Sequence, residues 1–507
     1  MSNAVPPAWA THPRIDRARA LEFGVATSGF QSEGDLNEPG HPSTHWLAWE
    51  SSGRLEPSAG GAGLWRRFPE AARRAHAMGL TRFRLGVEWA RLAPNNDDAL
   101  DPAAVDAYAE RLATLRAHGL EPIVTLLHFT HPARLGPDFW LTPGAPERFA
   151  RYARDAACAL GEALTRRGSP PLQRLITLNE PNMLALASYG AGVFPHGAPA
   201  MNVNPRGGFA RLVRCLDALL AGHALAWDAL HAAYAARGWA PPDVGTNVNV
   251  LDLHSLSKLC LDVLAPGLDA RALARRLDEG RHRHHAALFQ GEPRSRRALV
   301  ARALDAALAR ALRPERFEQT RRALEAAERR GRAPFDHVAI DVYDPFTAQQ
   351  LSLRPLRLAE PWEWRAEPDA LVRALRAYAW PDPALPIDVD ENGMCVRRDR
   401  GAPATPRADG VRRVEFVRGY ASALLHARVV EDLPVRAYCH WTLVDNYELG
   451  RWAPRFGIFA LRDDGSWSDR DAAGEDVAGA YGRIARALRA PDDESLRAAL
   501  VSAFGEG

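Results

Sequence analysis

The chain has little cysteine and no long apolar run. Its 507 residues include five cysteines, and no two of them have the C-x-x-C spacing of a redox or zinc motif. Such a set favours a reducing compartment without a disulfide framework. No stretch of 18 or more residues is apolar throughout, which argues against a membrane span, and the first 20 residues lack the apolar segment of a signal peptide. We therefore expect a cytoplasmic protein.

The sequence also lacks an excess of charge of either sign. Lys and Arg together number 64 and Asp and Glu 62, which gives a formal net charge of +2. This balance provides no overall attraction to nucleic acid or to an anionic membrane. We expect a small-molecule substrate rather than either of these partners, and the sequence leaves the oligomeric state open.

What the sequence does contain is eight apolar segments of strand length, separated by segments with the apolar spacing of helices, such as 104–119 and 147–167. Parallel strands need crossover connections, so this alternation predicts a parallel sheet. Eight strands are the number that closes a (β/α)₈ TIM barrel. The predicted strands are 23–27, 82–89, 122–129, 174–181, 244–250, 337–343, 386–392 and 435–443.

No linker divides the chain, so we expect one α/β barrel domain over residues 1–507. Residues 251–334, before the sixth strand, are expected to be a helical insertion. Its charged segments, 271–285 and 294–331, are interpreted as solvent-exposed helix faces. A peripheral contact with a membrane or a partner is the alternative for these segments.

Two predicted strands end in a glutamate that adjoins asparagine and precedes a residue that interrupts the strand. Glu180 lies between Asn179 and Pro181 in LITLNEPN, and Glu391 lies in PIDVDENG. In a (β/α)₈ barrel such strand ends open into the substrate-binding mouth. Glycosidic bond cleavage needs two such carboxyl groups, one protonated and one ionised. Arg84, within the second strand, is a candidate to keep one of them ionised.

These segments resemble glycoside hydrolase family 1, the β-glucosidase and β-galactosidase group. The likeness runs from about residue 22 to about residue 465, is weakest across 200–335, and keeps the family order. The matching segments are FGVATSGFQSEGD, RFRLGVEWARLAP, GLEPIVTLLHF, WLT, ITLNEPN, the Tyr343 strand, DENG and HWTLVDNYELGRWAPRFGIFAL. The resemblance implies a (β/α)₈ fold and a retaining mechanism that needs no metal or organic cofactor.

The resemblance also implies roles for individual residues. Glu180 would be the general acid/base and Glu391 the nucleophile. Asn179 would hold the sugar's 2-hydroxyl, and Tyr343 would donate a hydrogen bond to the nucleophile. The positions that it implies for sugar binding are Gln31, His128, the ring platform Trp441, Glu448 and the pocket-wall residue Phe456.

Several positions depart from the family pattern. Phe129 follows His128 where the family usually has Trp, and Leu449 follows Glu448 at another usual Trp, so glucose cannot be assumed as the glycone. The H-x-x-H spacing in HFTHP is a weak metal motif, because residues three apart on a strand face opposite sides.

Two departures add carboxyl groups near the predicted site. Asp341 replaces the usual Asn, and period-two geometry places it on the inward face with Tyr343. It can raise a catalytic pKa or remain protonated and imitate the amide, and we predict a shifted acidic limb in the pH–rate profile. Asp390 replaces the usual Thr and is expected to face away from Glu391.

The sequence therefore predicts a retaining β-glycosidase, with glucose as the leading glycone and galactose or fucose as alternatives. A transglycosidase of the same fold is one rival. Another is the branch that acts on 6-phosphorylated sugars, although Glu448 would repel the phosphate. A non-catalytic sugar-binding protein is the rival from a different class.

Overall fold

Eight parallel strands form a closed barrel at the centre of the molecule. The structure is a computed structural model that describes residues 7–95, 98–201, 205–328, 332–353 and 356–505. The barrel strands are β1 (Glu22–Ala26), β2 (Arg82–Gly86), β3 (Glu121–Thr125), β4 (Arg174–Asn179), β5 (Asp243–Asn249), β6 (Val338–Asp341), β7 (Ile387–Asn392) and β8 (Val435–Trp441). Their order around the barrel is β1-β8-β7-β6-β5-β4-β3-β2. The predicted (β/α)₈ barrel is confirmed, and its strands are the eight predicted from the sequence.

Helices surround this barrel. The longer ones are α1 (Leu64–Ala77), α2 (Pro102–Ala117), α3 (Ala145–Arg166), α4 (Pro205–Ala236), α5 (Ala270–Leu288), α6 (Arg296–Ala311), α7 (Glu318–Glu328), α8 (Pro368–Tyr378), α9 (Arg413–Leu425), α10 (Val477–Ala487) and α11 (Asp493–Gly505). Short helices span Gly29–Ser32, Leu47–Ser51, Trp89–Leu92, Pro181–Ala185, Leu259–Asp262 and Thr347–Gln350. Two small antiparallel pairs join Leu351–Leu353 with Leu356–Leu358 and Val396–Arg397 with Pro454–Arg455.

Local chemistry explains where these elements begin and end. The side chain of Asp101 accepts a hydrogen bond from the Ala103 amide at the start of α2, and Pro102 occupies the first helical position, where it needs no amide partner. All six residues of β4 are buried, as expected for a strand covered on both faces. The two helices predicted at 104–119 and 147–167 correspond to α2 and α3.

The amino-terminal end of the barrel is closed by buried and partly buried ion pairs. Arg82 Nε donates to Glu22 Oε2 at 2.7 Å, and Arg174 Nη1 donates to the same oxygen at 2.9 Å. Arg436 donates to both carboxylate oxygens of Asp388, from Nε to Oδ1 at 2.9 Å and from Nη2 to Oδ2 at 2.6 Å. Charged groups of opposite sign therefore fill this end, which leaves the carboxyl-terminal end of the strands for substrate.

The segment between β5 and β6 is helical and contains α5, α6 and α7. Arg271 and Arg275 of α5 are exposed, as predicted, but His284 and His285 are buried. His285 Nε2 lies 3.0 Å from Asp305 Oδ2 on α6. The prediction of a solvated face was wrong for these two histidines, because His285 connects α5 to α6 and His284 Nε2 lies 2.8 Å from the Leu251 carbonyl oxygen beyond β5. Residues 329–331 of the predicted 294–331 segment lie outside the described residues.

Two further sequence features can be located. All five cysteines are free and buried. No helix within the described ranges is both long enough and apolar enough to cross a membrane.

Candidate active site

β-Bulges at the ends of two strands direct side chains into the barrel mouth. The pairing of β4 with β5 shifts register between Ile176 and Asn179, and that of β6 with β7 shifts between Ile340 and Asp341. A bulge inserts one unpaired residue and changes which way the following side chains point. In β7 the residue passed over is Asp390, since Ile340 pairs with Val389 and Asp341 pairs with Glu391.

This bulge overturns one expectation. Asp390 does not face away from the nucleophile position, because its Oδ2 lies 3.7 Å from Nε of Arg84, whose Nη1 also contacts Glu391. Strict alternation would have placed Asp390 and Glu391 on opposite faces. The bulge instead brings both carboxyl groups to the same guanidinium.

Glu180 and Glu391 lie side by side in the mouth of the barrel. One carboxyl oxygen of each, together with one from Asp341, lies within 4.8 Å of the others. A separation of about 5–5.5 Å between carboxyl groups is typical of retaining glycosidases, and a wider one of inverting enzymes. Glu180 has a left-handed backbone, with φ of +40°, a conformation that costs about 1–3 kcal/mol in a residue other than glycine. It leaves β4 at this point, and Pro181 begins the next helix.

Glu391 is held by a cation and a phenol. Arg84 Nη1 contacts its Oε1, and the Tyr343 hydroxyl donates to Oε2 at 2.8 Å. Burial raises the pKa of Glu391, and Arg84 and Tyr343 oppose that shift. Arg84 is fully buried, and its Nη2 also donates to Asn179 Oδ1 at 2.6 Å. This pairing favours an ionised, precisely oriented carboxylate.

Glu180 has a different environment. Asn249 Nδ2 donates to its Oε1 at 2.7 Å. Burial and the neighbouring charge of Glu391 raise the pKa of Glu180 to about 8. The carboxyl group therefore carries a proton at neutral pH, while its neighbour is paired with arginine. Two carboxyl groups whose surroundings separate them in this way can divide acid and nucleophile roles.

Asp341 is the third carboxyl group and is fully buried. Asn247 Nδ2 contacts its Oδ2 and also donates to Asn179 Oδ1 at 2.7 Å. Burial, followed by the charges of Glu391 and Glu180, raises the pKa of Asp341 well above its ordinary value. The structure thus favours the protonated, amide-like alternative for Asp341. Because the side chain is buried, its influence on a ligand passes through its neighbours.

A second set of contacts, around Glu448 and Trp441, forms a wall of the barrel mouth. Glu448 accepts hydrogen bonds from Trp441 Nε1 at 3.0 Å and from Gln31 Nε2 at 3.3 Å. The His128 ring lies nearly parallel to Trp441, with ring centroids 5.8 Å apart. Burial and the charge of Arg84 lower the pKa of His128 well below its ordinary value, so the ring is neutral. Burial raises the pKa of Glu448 to about 8.

Two buried polar atoms, one in this wall and one beside the carboxyl pair, have no hydrogen-bond partner among the described residues. They are His128 Nδ1 and Asn179 Nδ2. Buried polar atoms are nearly always satisfied in folded proteins, so such exceptions need an explanation. A bound ligand with several hydroxyl groups, lying between the carboxyl pair and Trp441, would supply partners for both atoms.

Aromatic rings continue the wall beyond the carboxyl pair. The ring centroid of Tyr343 lies 6.0 Å from that of Phe456 and 5.5 Å from that of Trp364. Gly393 allows the Trp441 backbone and the Phe456 ring to come close, because a Cβ atom there would lie 2.0 Å from the Trp441 carbonyl oxygen and 3.2 Å from Phe456 Cδ1. Leu449 is the predicted site residue that is least engaged: it is half-buried, packs against the main apolar core, and has φ of +46°.

The sequence analysis missed several residues of the site. Asn247 and Asn249 orient Asp341 and Glu180, and Trp364 extends the aromatic wall. The asparagines had a visible signal, since two polar residues at alternate positions of an apolar strand share one face. The weak H-x-x-H motif divides between two clusters: His128 lies beside Trp441, whereas His131 stacks on His45 with centroids 3.7 Å apart.

Comparison with known families agrees with this geometry. The model of "Glycosyl hydrolase family 1" matches residues 18–255 and 343–472. The unmatched stretch between these ranges contains most of the helical segment, β6 and Asp341.

Two curated relatives and one solved structure match most of the chain at low identity. A 6-phospho-β-galactosidase from Lacticaseibacillus casei is 24% identical over 461 residues, which are 86% of this chain and 92% of the relative. Beta-glucosidase 7 from Arabidopsis thaliana is 24% identical over 476 residues, covering 88% and 86%. The family 1 β-glucosidase from Thermotoga maritima has a similar structure, with a TM-score of 0.65, 18% identity, and coverage of 93% of this chain and 98% of that one. The chain belongs to glycosyl hydrolase family 1, and it is a retaining β-glycosidase.

Proposed function

We propose that this enzyme hydrolyses unphosphorylated β-glucosides, with Glu391 as nucleophile and Glu180 as general acid/base. The observation that carries the proposal is the contrast within the carboxyl pair. Glu391 is bound by Arg84 and Tyr343, whereas the pKa of Glu180 is raised to about 8. Oxygens of the two groups lie within 4.8 Å of each other.

In this proposal the first step forms a covalent glycosyl-enzyme. A carboxylate oxygen of Glu391 attacks the anomeric carbon while the bond to the leaving oxygen breaks, and Glu180 gives its proton to that oxygen. Glu180 then takes a proton from water as the water oxygen attacks the same carbon and the ester to Glu391 breaks. Each displacement inverts the carbon, so the β configuration is retained.

The remaining residues of the site are proposed to hold the glycone. Gln31 and Glu448 would bind hydroxyls at one edge of the sugar, and Trp441 would pack against its C–H face. His128 Nδ1 and Asn179 Nδ2, which have no partner among the described residues, would bind further hydroxyls. Arg84, Tyr343 and Asp341 act on the carboxyl pair, and Phe456 and Leu449 border the pocket.

One comparison favours a second candidate, hydrolysis of 6-phosphorylated β-galactosides, because a relative that matches most of the chain has that name. Glu448 weighs against it. Its carboxyl group accepts hydrogen bonds from Trp441 and Gln31, an arrangement suited to neutral hydroxyls. A carboxyl group at this position, with its pKa raised to about 8, offers no positive charge to a phosphate dianion in a buried pocket.

A panel of 4-nitrophenyl β-glycosides tests the proposed function. We expect the wild type to hydrolyse the β-glucoside with a higher kcat/KM than the β-galactoside, the β-fucoside or the β-galactoside 6-phosphate. Preference for the phosphorylated substrate would replace the proposal with the second candidate. No hydrolysis of any substrate would contradict it. Product analysis with an added alcohol would detect transfer to an acceptor other than water.

We also infer the remaining properties from indirect support. Five buried free cysteines suit a reducing compartment such as the cytoplasm. The helical segment 251–334 lies between neighbouring barrel strands, which supports one domain with an insertion. Two carboxyl groups suffice for the chemistry, so we propose that neither metal nor organic cofactor takes part.

A further inference from the structure

Glu88 is a buried carboxyl group that the proposed mechanism does not use. It follows β2 by two residues and is 2% exposed. Its Oε1 accepts a hydrogen bond from the Phe30 amide at 2.7 Å, and the Thr130 hydroxyl donates to its Oε2 at 2.8 Å. One side chain therefore joins the segment after β1 to the segment after β3.

Both segments carry residues that the proposed function assigns to glycone binding. Phe30 directly precedes Gln31 in the helix Gly29–Ser32, and Thr130 lies two residues after His128. Gln31 reaches Trp441 through Glu448, and His128 stacks on the same tryptophan. The two segments joined by Glu88 are thus also connected at Trp441, through Glu448 on one side and through the His128 ring on the other.

The approach of Glu88 to the first segment is close. A Cβ atom on Gly29 would lie 2.6 Å from Glu88 Cγ and Oε1. A side chain at residue 29 would therefore displace the carboxyl group. The Glu88 amide donates to the Tyr108 hydroxyl at 2.9 Å, so the backbone is anchored to α2 as well. These contacts define a single position for the carboxyl group.

We propose that Glu88 is a positioning residue of the glycone pocket, which sets the spacing between Gln31 and His128 by joining the segments that carry them. The inference rests on the proposed function, in which these two residues bind sugar hydroxyls. Glu88 acts through its neighbours, and its expected effect is on substrate binding rather than on the carboxyl pair.

The charges around Glu88 add a pH dependence to this role. The ionisable groups facing it are Glu33, Arg91, Tyr108 and Tyr152. Arg91 Nε donates to Glu33 Oε2 at 3.1 Å. The arginine is therefore paired with Glu33 and not with Glu88. Burial and the charge of Glu33 raise the pKa of Glu88 to about 8. Above this pH a second carboxylate beside Glu33 repels it and strains the connection, which predicts weaker glycone binding.

The test compares variants on the nitrophenyl β-glycoside that the wild type hydrolyses fastest. We expect Glu88→Ala to raise KM about 10-fold or more while kcat stays within about 3-fold, the pattern of lost uniform binding. Glu88→Gln can still accept from the Phe30 amide through Oε1, and its Nε2 can donate to the Thr130 hydroxyl oxygen in a bond of reversed direction. Its KM at pH 6 should therefore stay within about 3-fold of the wild type. Between pH 7 and 9 the KM of the wild type should rise by a factor at least about twice the factor seen for Glu88→Gln.

Asp217→Ala is the matched control. Asp217 is also buried and also joins two elements, because it accepts the amides of Gln319 and Thr320 at 3.0 and 2.9 Å, away from the pocket. This variant should lose thermal stability with an unchanged KM. A KM in Glu88→Ala that matches the wild type would overturn the inference, as would equal effects of both alanine variants on KM.

Two readouts remain if Glu88→Ala does not fold. Thr130→Val removes one arm of the connection and should raise KM about 3-fold or more, and the pH dependence of Glu88→Gln is independent of the alanine variant. Unchanged values in both would overturn the inference. A wild type inert on every β-glycoside would instead contradict the proposed function, so the two failures are distinguishable.

Discussion

The two ends of the barrel interior handle buried charge in opposite ways. At the amino-terminal end, acids and arginines pair in near-equal numbers; they are Glu22, Asp243, Asp388, Arg82, Arg174 and Arg436. At the carboxyl-terminal end, four carboxyl groups face the guanidinium of Arg84; they are Glu180, Asp341, Asp390 and Glu391. Asp388 is as buried as the groups around Arg84, so its partners alone distinguish it from them, whereas Glu22, Asp243, Arg82 and Arg436 are also partly exposed.

The pKa values of the carboxyl groups follow from this difference. Burial alone would raise the pKa of Asp243 and Asp388, yet Arg436 and Arg174 (together with His337) lower both. At the other end burial has few opposing cations, and the pKa of Glu180 and of Asp341 is raised. The paired end therefore stabilises the fold, whereas the unbalanced end costs stability and supplies a proton at neutral pH.

The largest expected effect comes from removing the cation at the carboxyl-terminal end of the barrel. Arg82 and Arg84 lie two residues apart on β2, but Arg82 binds Glu22 and Arg84 binds Glu391. We expect Arg84→Gln to lower kcat/KM by more than about 10²-fold, because a buried carboxylate loses its partner. Arg82→Gln should change kcat/KM less than about 3-fold, since its partner is structural.

Steady-state kinetics on one substrate measures both variants. A similar loss of kcat/KM in each would remove the distinction between the two ends. A thermal melt of each variant checks that the comparison is made on folded protein.

The next effect concerns stability at the paired end. Asp388 is fully buried and bound by Arg436, and its pKa is lowered. Its contribution to stability is therefore present above the unfolded-state pKa and is lost as pH falls through the folded value. We expect Asp388→Asn to lower the free energy of unfolding at pH 7 by about 3–5 kcal/mol. Denaturant melts should show a smaller difference from the wild type at pH 3.

At the unbalanced end the sign reverses. Glu180 has a folded-state pKa of about 8, above its unfolded value, so the stability that it contributes is complete at low pH and is lost as pH rises through 8. We expect Glu180→Gln to be inactive on poor leaving groups but more stable than the wild type at pH 7 by about 1–2 kcal/mol. Thermal melts from pH 4 to pH 8 should show this gain increasing with pH. A gain that shrinks with rising pH would contradict the assignment of the proton to Glu180.

The smallest effect is expected for Asp341. The sequence alone predicted a shifted acidic limb, but Asp341 is fully buried and its pKa is raised well above the ordinary value, which favours a protonated group that behaves as the amide would. We now expect Asp341→Asn to keep kcat/KM within about 3-fold and the acidic limb within about 0.3 pH unit. A pH–rate profile of the variant measures both. A shift of a full unit would restore the ionised alternative.

The sequence was sufficient to predict the barrel and the type of chemistry. Continuous apolar runs, such as LITL before Asn179, indicate buried strands. A glutamate near the end of an apolar strand, with Pro181 after Glu180 and Asn392 and Gly393 after Glu391, is hard to explain by packing alone. Family resemblance then supplied expectations for residues such as Gln31 and Glu448, which the structure brings within hydrogen-bonding distance.

Other features depend on backbone register and could not be predicted from periodicity. Asp390 turned inward because of a bulge, and a bulge shifts side chains relative to simple alternation. Glu88 lies in the short apolar sequence GVEW, where nothing local reveals that its partners are Phe30 and Thr130. Such contacts arise from loops that meet only when the barrel closes.

The most direct measurement of the central claim uses azide with variants of the two glutamates. In Glu391→Gly, azide takes the nucleophile's place on the α face, and a single displacement of a β-glycoside predicts an α-glycosyl azide. In Glu180→Ala, azide attacks the glycosyl-enzyme formed by Glu391, and two displacements predict a β-glycosyl azide. Proton NMR of the anomeric hydrogens distinguishes the products. The same anomer from both variants, or the two anomers exchanged, would contradict the assignment of Glu391 as the ionised nucleophile and Glu180 as the protonated general acid/base.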